Sequence, residues 1–226
     1  MRAAALLLCA GRGERLAGRD DKALVTLGGR ALFTWSLEAL QRCPAVEAIV
    51  VVGETARLRP AAAAAGLGEG HIIAWVAGGR ERQDSVARGL EALPREYDLV
   101  AVHDCARALV TPEVIGRVLA DAAAHGAAIA ALPLEDTLKL GSLGVIERTV
   151  PRAGLWRAQT PQAFRRELLE RAHATAGAIA TDDAALVEAT GQRVHLTEGD
   201  PMNFKITRPR DLDLAEAWLA SRRAEA

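Results

Sequence analysis

The chain has 226 residues, half of them hydrophobic, which is enough to bury a large core in one domain or a domain with an appendage. Its formal net charge of −1 argues against a general nucleic-acid-binding protein, which would be basic. No apolar stretch approaches membrane-spanning length, and Met1-Arg2-Ala3 leads into a strand-like segment rather than a signal peptide. The three cysteines are scattered, which predicts neither a disulfide framework nor a zinc site and favours a reduced, cytoplasmic location.

Strand-like and helix-like segments alternate from residue 3 to residue 134. The alternation predicts βαβ units with right-handed crossovers, and so an α/β fold with a Rossmann-like, mostly parallel sheet and helices on both faces. Thr111 and Gly126 are typical of the start and the end of the helix between them. The predicted strands are 3–8, 46–52, 71–76, 99–103 and 127–134, and the predicted helices are 31–42, 55–65, 84–93 and 112–125.

A β-hairpin is predicted after this region, from segments 136–140 and 145–150 with a glycine-containing turn between them. An isolated hairpin is marginal in water, so this arm, at about 136–159, needs something to pack on. The sequence leaves two alternatives for the surface that the arm packs on, a partner subunit or the chain's own domain. From Pro161 the chain is predicted to return to helices at 164–175 and 183–190, followed by a strand at 193–197 and a last helix from Pro209.

A glycine-rich turn follows the first strand. It contains Gly11 and Gly13, and two cations, Arg15 and Lys22, lie close behind it. Glycines let backbone N–H groups approach an anion, and the cations neutralise the bound charge, so the pattern favours a phosphate cradle. It is not a Walker motif, because no Gly-Lys-Ser/Thr follows, and Leu16 stands where a dinucleotide-binding turn has its third small residue. Nucleotide or phosphosugar chemistry remains the leading interpretation.

Lysine is rare in this chain. Of the 28 basic side chains only three are lysines, Lys22, Lys139 and Lys205. An ammonium group is a compact point charge where arginine is a planar fork, so retained lysines in motif-like contexts are candidates for a functional role. Lys22 and Lys205 lie in such contexts, and the only asparagine, Asn203, precedes Lys205 by two residues.

Further polar residues follow the predicted strands, at the edge where open parallel sheets bind ligands. One His and one Asp at 103 and 104 are too few ligands for a transition metal, and no protein metal ligand is predicted. Mg²⁺ usually rests on substrate phosphates with few protein ligands, and Asp104 would lie near it or near a sugar hydroxyl. The candidate segments are 78–85, 103–107, 136–137, 181–183 and 203–209.

The ordered set of these motifs resembles the 2-C-methyl-D-erythritol 4-phosphate cytidylyltransferase family over nearly the whole chain. Each motif alone is weak, but the order of all of them is specific. The chain differs from the family pattern at Asp21, Cys105 and Ala108. The motifs are Ala10-Gly11-x-Gly13-x-Arg15-Leu16 with Lys22, Gly78-Gly79-x-x-Arg82-x-x-Ser85-Val86, His103-Asp104-x-Ala106-Arg107, Asp136-Thr137-x-Lys139, Arg152-x-Gly154-Leu155-Trp156, Gln159-Thr160-Pro161-Gln162, Thr181-Asp182 and Lys205-Ile206-Thr207-Arg208-Pro209.

The resemblance implies a single nucleotidyltransferase domain over 1–226 that uses Mg²⁺, CTP and methylerythritol phosphate and forms a CDP-alcohol and pyrophosphate. It also implies a homodimer that exchanges arms, in which Thr137 and Arg152 reach the neighbouring subunit's site. For the other residues it implies nucleotide binding by Ala10, Gly11 and Gly13, cytosine recognition by Gly79 and Ser85, charge stabilisation by Arg15 and Lys22, and binding of the substrate methylerythritol phosphate by Asp104, Arg107, Thr181 and Lys205.

Two alternatives remain beside this interpretation. The first is a cytidylyltransferase for another polyol phosphate, such as ribitol 5-phosphate, on the same fold. The second is a nucleotide-binding regulator without turnover, against which the intact basic residues Arg15, Lys22, Arg152 and Lys205 argue.

Overall fold

A seven-stranded sheet forms the centre of the computed structural model, which describes residues 1–11, 22–68, 70–176 and 180–224. The strand order is β11-β7-β10-β6-β1-β4-β5, and every neighbouring pair is parallel except the two pairs that include β10. This confirms a mostly parallel sheet. The strands are β1 (Ala3–Leu8), β2 (Thr26–Leu27), β3 (Arg30–Ala31), β4 (Ala48–Val52), β5 (Ile72–Val76), β6 (Leu99–Asp104), β7 (Ala127–Pro133), β8 (Leu138–Ser142), β9 (Val145–Val150), β10 (Trp156–Arg165) and β11 (His195–Glu198).

Helices cover both faces of the sheet, as predicted. Successive residues of β1 enter two separate cores, because side chains alternate across a strand. Leu7 packs with Phe33 and Ile115 on one face, and Leu6 packs with Leu90 and Leu169 on the other. The helices are α1 (Leu32–Arg42), α2 (Thr55–Ala64), α3 (Arg82–Ala92), α4 (Pro112–His125), α5 (Arg166–Thr175), α6 (Asp183–Ala189) and α7 (Pro209–Ala224), with a short 3₁₀ helix at Lys22–Leu24.

Local chemistry explains why α4 has the bounds predicted for it. The Val114 N–H donates to Thr111 Oγ1 at 3.4 Å, and Pro112 occupies the first turn, where its missing N–H costs nothing. Gly126 ends the helix at a φ of +91°. The other predicted helices and parallel strands are confirmed with ends that differ by at most two residues.

The prediction of helices from Pro161 onward was wrong at its start, because the chain first forms β10. This strand lies between β6 and β7 and is antiparallel to both. A proline inside a strand argues against a central position, since it cannot donate to the ladder. Here the register with β7 shifts between Ala158 and Gln162, so Pro161 lies where the ladder is interrupted. The helix predicted at 164–175 begins two residues later, at Arg166.

The predicted hairpin arm is confirmed as a separate antiparallel sheet of β8 and β9. Its side chains are largely exposed and include an unusual number of large apolar groups, Leu140, Leu143, Val145 and Ile146. Within the described part of the chain, none of the helices combines the length and the apolar character needed to cross a membrane.

Candidate functional site

The turns that follow β1 and β5 touch each other. A Cβ atom at Gly78 would lie 2.4 Å from the Cβ of Ala10, so only glycine permits this approach. Gly11 adopts a φ of +152°, which residues with a side chain rarely adopt. The structure therefore brings together two of the turns predicted to bind a nucleotide. Gly13 and Arg15, the other predicted residues of the first turn, lie outside the described residues.

Ser85 holds the second turn in place. Its side chain is buried at the start of α3, and its Oγ accepts a hydrogen bond from the Gly79 N–H at 2.9 Å. The same hydroxyl donates to the Glu81 carbonyl at 3.2 Å. Glu81 and Asp84 form a capping box at the start of this helix, in which the Glu81 N–H donates to Asp84 Oδ2 at 2.9 Å. Ser85 thus fixes the position of Gly79.

Asp104, the last residue of β6, lies between two cations. Lys205 Nζ is 2.7 Å from Asp104 Oδ2, and Arg82 Nε is 3.1 Å from Asp104 Oδ1. Burial alone would raise the pKa of the Asp104 carboxyl, but Arg82 and Lys205 outweigh it and hold the pKa well below its usual range. Asp104 is therefore an ionised acceptor at any pH near neutrality.

Arg82 joins this carboxylate to a second, buried one. Its Nη1 donates to Asp183 Oδ2 at 2.6 Å, and His173 Nε2 lies 3.0 Å from Asp183 Oδ1. Burial tends to lower the pKa of the Arg82 guanidinium, but Asp183 and Asp104 outweigh it and raise the pKa. The Nη2 atom of Arg82 is buried without a hydrogen-bond partner among the described residues. The Arg82 guanidinium therefore has an N–H donor that a bound ligand can use.

The loop before α6 is fixed by β10. The Asp182 carboxylate caps the helix by accepting from the Ala185 N–H at 3.0 Å, and it also accepts from Gln162 Nε2 at 2.8 Å. Gln162 Oε1 in turn accepts from the Ala184 N–H at 3.1 Å. Thr181, predicted to bind substrate, is exposed immediately before this cap, two residues from the Arg82 partner Asp183.

His103 is a buried residue of β6 that holds the turn following this strand. Its Nε2–H donates to the Arg107 carbonyl at 3.3 Å, and its Nδ1 accepts from Thr160 Oγ1 at 3.1 Å, the tautomer that satisfies both contacts. Thr160 Oγ1 also accepts from the Asp104 N–H at 3.1 Å. Burial lowers the pKa of His103 to about 4, and the ring is neutral at pH 7. A neutral, buried histidine thus positions both ends of the 104–107 turn.

This histidine gives the fold a defined pH dependence. A folded-state pKa of about 4, below the usual ~6.5, means that the unfolded chain binds the proton more tightly. The free energy of unfolding is therefore highest above pH 6.5, where His103 is neutral in both states. It decreases as the pH falls from 6.5 toward 4, because the unfolded chain takes up the proton first. Between pH 7 and pH 5 we expect His103 to remove about 2 kcal/mol from the free energy of unfolding.

Urea unfolding of the wild type, His103→Asn and the exposed-histidine control His71→Asn at both pH values measures this loss. His71→Asn should follow the wild type, and His103→Asn should lose less stability on acidification. Equal pH dependence in all three proteins, or an NMR titration of His103 with a midpoint near 6.5, would contradict the assignment.

Arg107 anchors the segment that carries Lys205. Its Nη1 donates to the Asn203 carbonyl at 2.8 Å, and its Nη2 donates to the Ala158 carbonyl at 3.2 Å. Burial lowers the pKa of Arg107, which nevertheless remains a cation. Asn203 is buried and donates from Nδ2 to the Thr160 carbonyl at 2.8 Å. Two of the predicted acceptor-binding residues, Arg107 and Lys205, are thus brought to Asp104 by one network.

The remaining predicted site residues lie at other places in the fold. Lys22 opens the 3₁₀ helix and is half-buried. Thr137 is exposed just before β8, and Arg152 is exposed just after β9 with its guanidinium donating to the Glu135 carbonyl. Within the described chain, no hydrogen bond or ion pair links Thr137 or Arg152 to Asp104. Both residues lie at the base of the arm.

Sequence reasoning assigned no role to the residues that complete the charge network. Arg82 lies in the quoted glycine motif, and Asn203 is conspicuous as the only asparagine, so both carried a signal. Asp183 lies in the candidate segment 181–183 but had no assigned role, and His173 carried no signal, because the partners of both residues are distant in sequence. Both oxygens of Asp104 are occupied by cations, so a divalent metal at this edge would be held mainly by phosphate oxygens of a bound substrate.

Comparisons with known proteins match nearly the whole chain to one family. The family model for IspD, 2-C-methyl-D-erythritol 4-phosphate cytidylyltransferase, matches residues 3–221. The 2-C-methyl-D-erythritol 4-phosphate cytidylyltransferase of Frankia casuarinae is 45% identical over 221 residues, 97% of this chain and 82% of that protein. The enzyme of the same name from Shouchella clausii is 42% identical over 226 residues, 98% of each chain.

Two solved structures also match nearly the whole chain. The crystal structure of 2-C-methyl-D-erythritol 4-phosphate cytidylyltransferase from Thermus thermophilus has a TM-score of 0.81 and 37% identity, and the match covers 97% of this chain and 100% of that one. A structure of 4-diphosphocytidyl-2C-methyl-D-erythritol synthase has a TM-score of 0.82 and 33% identity, and the match covers 96% of this chain and 98% of that one. The chain belongs to the 2-C-methyl-D-erythritol 4-phosphate cytidylyltransferase family.

Proposed function

We infer that the chain transfers a cytidylyl group from CTP to 2-C-methyl-D-erythritol 4-phosphate. The products are 4-diphosphocytidyl-2-C-methyl-D-erythritol and pyrophosphate, and the reaction is a step of the non-mevalonate route to isoprenoid precursors. Family membership over residues 3–221 gives the reaction. The assignment of the site rests on the position of Asp104, which lies at the end of β6 between Lys205 and Arg82.

The reaction needs cations rather than a catalytic base. An oxygen of the acceptor phosphate attacks the α-phosphorus of CTP and forms a new P–O bond. The bond from that phosphorus to the oxygen bridging to the β-phosphate breaks, and pyrophosphate leaves with the electron pair. The attacking oxygen is already ionised, so no proton has to be removed. The barrier arises from bringing anions together and from charge on the phosphoryl oxygens, which positioned cations lower.

The nucleotide would bind across the two touching turns. Backbone N–H groups of Ala10, Gly11 and Gly13 would hold the triphosphate, with Arg15 and Lys22 stabilising its charge during transfer. Gly79 would recognise the edge of the cytosine, and Ser85 would keep Gly79 in position through the hydrogen bond between them. The contact between Ala10 and Gly78 supports this arrangement, because it places both turns at one edge of the sheet.

The acceptor would bind around Asp104. The carboxylate accepts hydrogen bonds from hydroxyl groups of the polyol, and Lys205, 44% exposed, faces solvent with donors to spare for the acceptor phosphate. Thr181 offers a hydroxyl and Arg107 a positive charge nearby. The buried, unpartnered Nη2 of Arg82 is a further donor for an anion or a hydroxyl.

The arm would complete the site of a second subunit in a homodimer. Leu143 and Val145 at its tip are exposed apolar groups that a partner would cover. In this arrangement Thr137 and Arg152, at the base of the arm, contact the acceptor in the partner's site. The whole chain, 1–226, would then be one nucleotidyltransferase domain with a dimerisation arm at about 136–159, and we place it in the cytoplasm.

Mg²⁺ would enter this site on the phosphates of CTP. The family is a nucleotidyltransferase family, for which a divalent cation is usual. When bound, Mg²⁺ neutralises phosphate charge and orients the triphosphate. The ion pairs of Asp104 with Lys205 and Arg82 fit a role toward the acceptor better than direct ligation of the metal.

Ser85→Ala should reduce discrimination between CTP and UTP. Removing the hydroxyl frees the Gly79 N–H, and a site built to hydrogen-bond one base loses selectivity when that geometry relaxes. We expect the ratio of kcat/KM values for the two nucleotides to fall about 10-fold or more. The measurement is a competition assay with both nucleotides, with Ser221→Ala, an exposed serine of α7, as the control. Unchanged selectivity in Ser85→Ala would mean that this hydroxyl does not set the recognition turn.

A panel of polyol phosphates tests the proposed substrate. With CTP and Mg²⁺ present, methylerythritol 4-phosphate should give pyrophosphate with a kcat/KM far above that of ribitol 5-phosphate or erythritol 4-phosphate. A higher kcat/KM with ribitol 5-phosphate would assign the chain to the other polyol. CTP binding without pyrophosphate release from any acceptor would indicate a non-catalytic regulator.

A further inference from the structure

Two histidines and an aspartate converge where α4 ends beside the edge strand β11. Asp121 and His125 are four residues apart on α4 and share one face of that helix, and His195 is the first residue of β11. The ligand atoms of these three side chains lie within 4.8 Å of one another. None of the three takes part in the network around Asp104 described above.

The cluster has the internal order of a built site. The rings of His125 and His195 stack with centroids 4.2 Å apart and planes inclined by 14°. Asp121 Oδ2 lies 3.8 Å from His195 Nε2 and accepts a hydrogen bond from Thr197 Oγ1 at 2.6 Å. Thr197 is buried on the same strand, so it holds the carboxylate toward the histidines, as outer partners of metal ligands commonly do.

The electrostatic setting favours a cation. His125 lies in the last turn of α4, where the unpaired carbonyls of the helix carry partial negative charge. Arg117, one turn before Asp121, directs its guanidinium to the Glu198 carbonyl at 3.1 Å, and the Glu198 side chain is exposed. The donor set therefore includes one carboxylate and two imidazoles without a lysine or arginine bonded to that carboxylate among the described residues.

We propose that Asp121, His125 and His195 bind a divalent transition-metal ion such as Zn²⁺. Two imidazoles and one carboxylate suit zinc, cobalt or nickel, whereas magnesium and calcium prefer oxygen ligands. Zinc ligands at ~2.0–2.1 Å lie roughly 3.3 Å apart. The ligand atoms here lie within 4.8 Å of one another, and the side chains of His125 and His195 are exposed and free to approach the half-buried Asp121. Three protein ligands leave at least one position for water.

The bound ion would fasten the edge strand β11 to α4. Beyond β11 the chain continues through Gly199, whose N–H donates to the Ala131 carbonyl at 2.9 Å, to Asn203 and Lys205. A metal at the start of β11 would therefore stabilise the strand from which the Lys205 segment continues. The proposal concerns stability and metal binding, and it does not depend on the cytidylyltransferase assignment.

Titration with Co²⁺ in excess Mg²⁺ tests the site, because Co²⁺ bound to histidine gives a visible absorption spectrum. We expect one Co²⁺ per chain, displaced by Zn²⁺, and affinity at least 10-fold weaker in His125→Ala, His195→Ala and Asp121→Asn. Thr197→Val should weaken binding by about 10-fold, because the Asp121 carboxylate loses the hydrogen bond that orients it. His71→Ala, just before β5 on the opposite edge of the sheet, is the matched control and should bind like the wild type.

Thermal unfolding supplies a second readout. Zn²⁺ should raise the Tm of the wild type and of His71→Ala, and it should leave the Tm of His195→Ala unchanged. The three cysteines are buried and offer no competing exposed thiol. Absence of stoichiometric Co²⁺ binding, or binding that survives in both His125→Ala and His195→Ala, would overturn the proposal.

Discussion

A mixture of Lys22→Ala subunits and Arg152→Ala subunits should recover activity that neither variant has alone. If the arm reaches the partner's site, each mixed dimer contains one site with both lesions and one with neither. Random reassortment makes half of the dimers mixed, so roughly a quarter of wild-type activity should return. The exposed apolar groups of the arm, among them Leu143 and Val145, are the structural reason to expect this exchange.

A second mixture provides the control. Arg152→Ala subunits mixed with subunits carrying both Lys22→Ala and Arg152→Ala lack Arg152 at every site, and no activity should return. Subunit exchange has to be shown independently, for example with two affinity tags. Activity of the first mixture that stays at the level of the unmixed variants, with exchange confirmed, would show that Arg152 serves its own chain.

Lys22→Ala should lower kcat on the order of 10²-fold or more, with a much smaller change in the KM for CTP. The charge of Lys22 is needed most in the transition state, where negative charge on the phosphoryl oxygens is greatest. Lys22→Arg should rescue only in part, because a planar guanidinium does not replace a point charge. Steady-state kinetics with varied CTP separate the two parameters.

Arg57→Ala is the matched control for this series. Arg57 is an exposed cation of α2, and its loss removes one positive charge from the surface. We expect it to keep wild-type kcat and KM. Wild-type turnover in Lys22→Ala, or an equal loss in Arg57→Ala, would remove Lys22 from the proposed catalytic group.

Local sequence signals were sufficient for most of the fold. Thr111, Pro112 and Gly126 mark both ends of α4, and the apolar run 3–8 is buried on both faces of the sheet, as its composition requires. The strand β10 could not be predicted in the same way. The chain was predicted to return to helices from Pro161, and a proline argues against a central strand. Only the register shift in the pairing of β10 with β7 explains how the sheet accommodates it.

The candidate site was predictable where residues follow a strand directly. Asp104 ends β6, and Gly78 and Gly79 follow β5, so the topology of a parallel sheet places them at one edge. The partnership of Arg82 with Asp183 was not predictable, because the two residues are 101 positions apart and meet only through packing of α3 against α5 and α6. The hydrogen bonds of Ser85 to Gly79 and Glu81 within its own turn were not predictable from the glycine motif either.

Phosphorus NMR of the reaction mixture follows the proposed cytidylyl transfer itself. Wild-type chain with CTP, Mg²⁺ and methylerythritol 4-phosphate should convert the three CTP resonances and the phosphomonoester resonance into pyrophosphate and two coupled resonances of a diphosphate diester. An ¹⁸O label in the acceptor phosphate should appear in the diester and not in pyrophosphate, because the acceptor oxygen attacks the α-phosphorus. Unchanged CTP, or conversion to CMP and pyrophosphate with the acceptor intact, would show that the chain does not transfer a cytidylyl group to methylerythritol 4-phosphate.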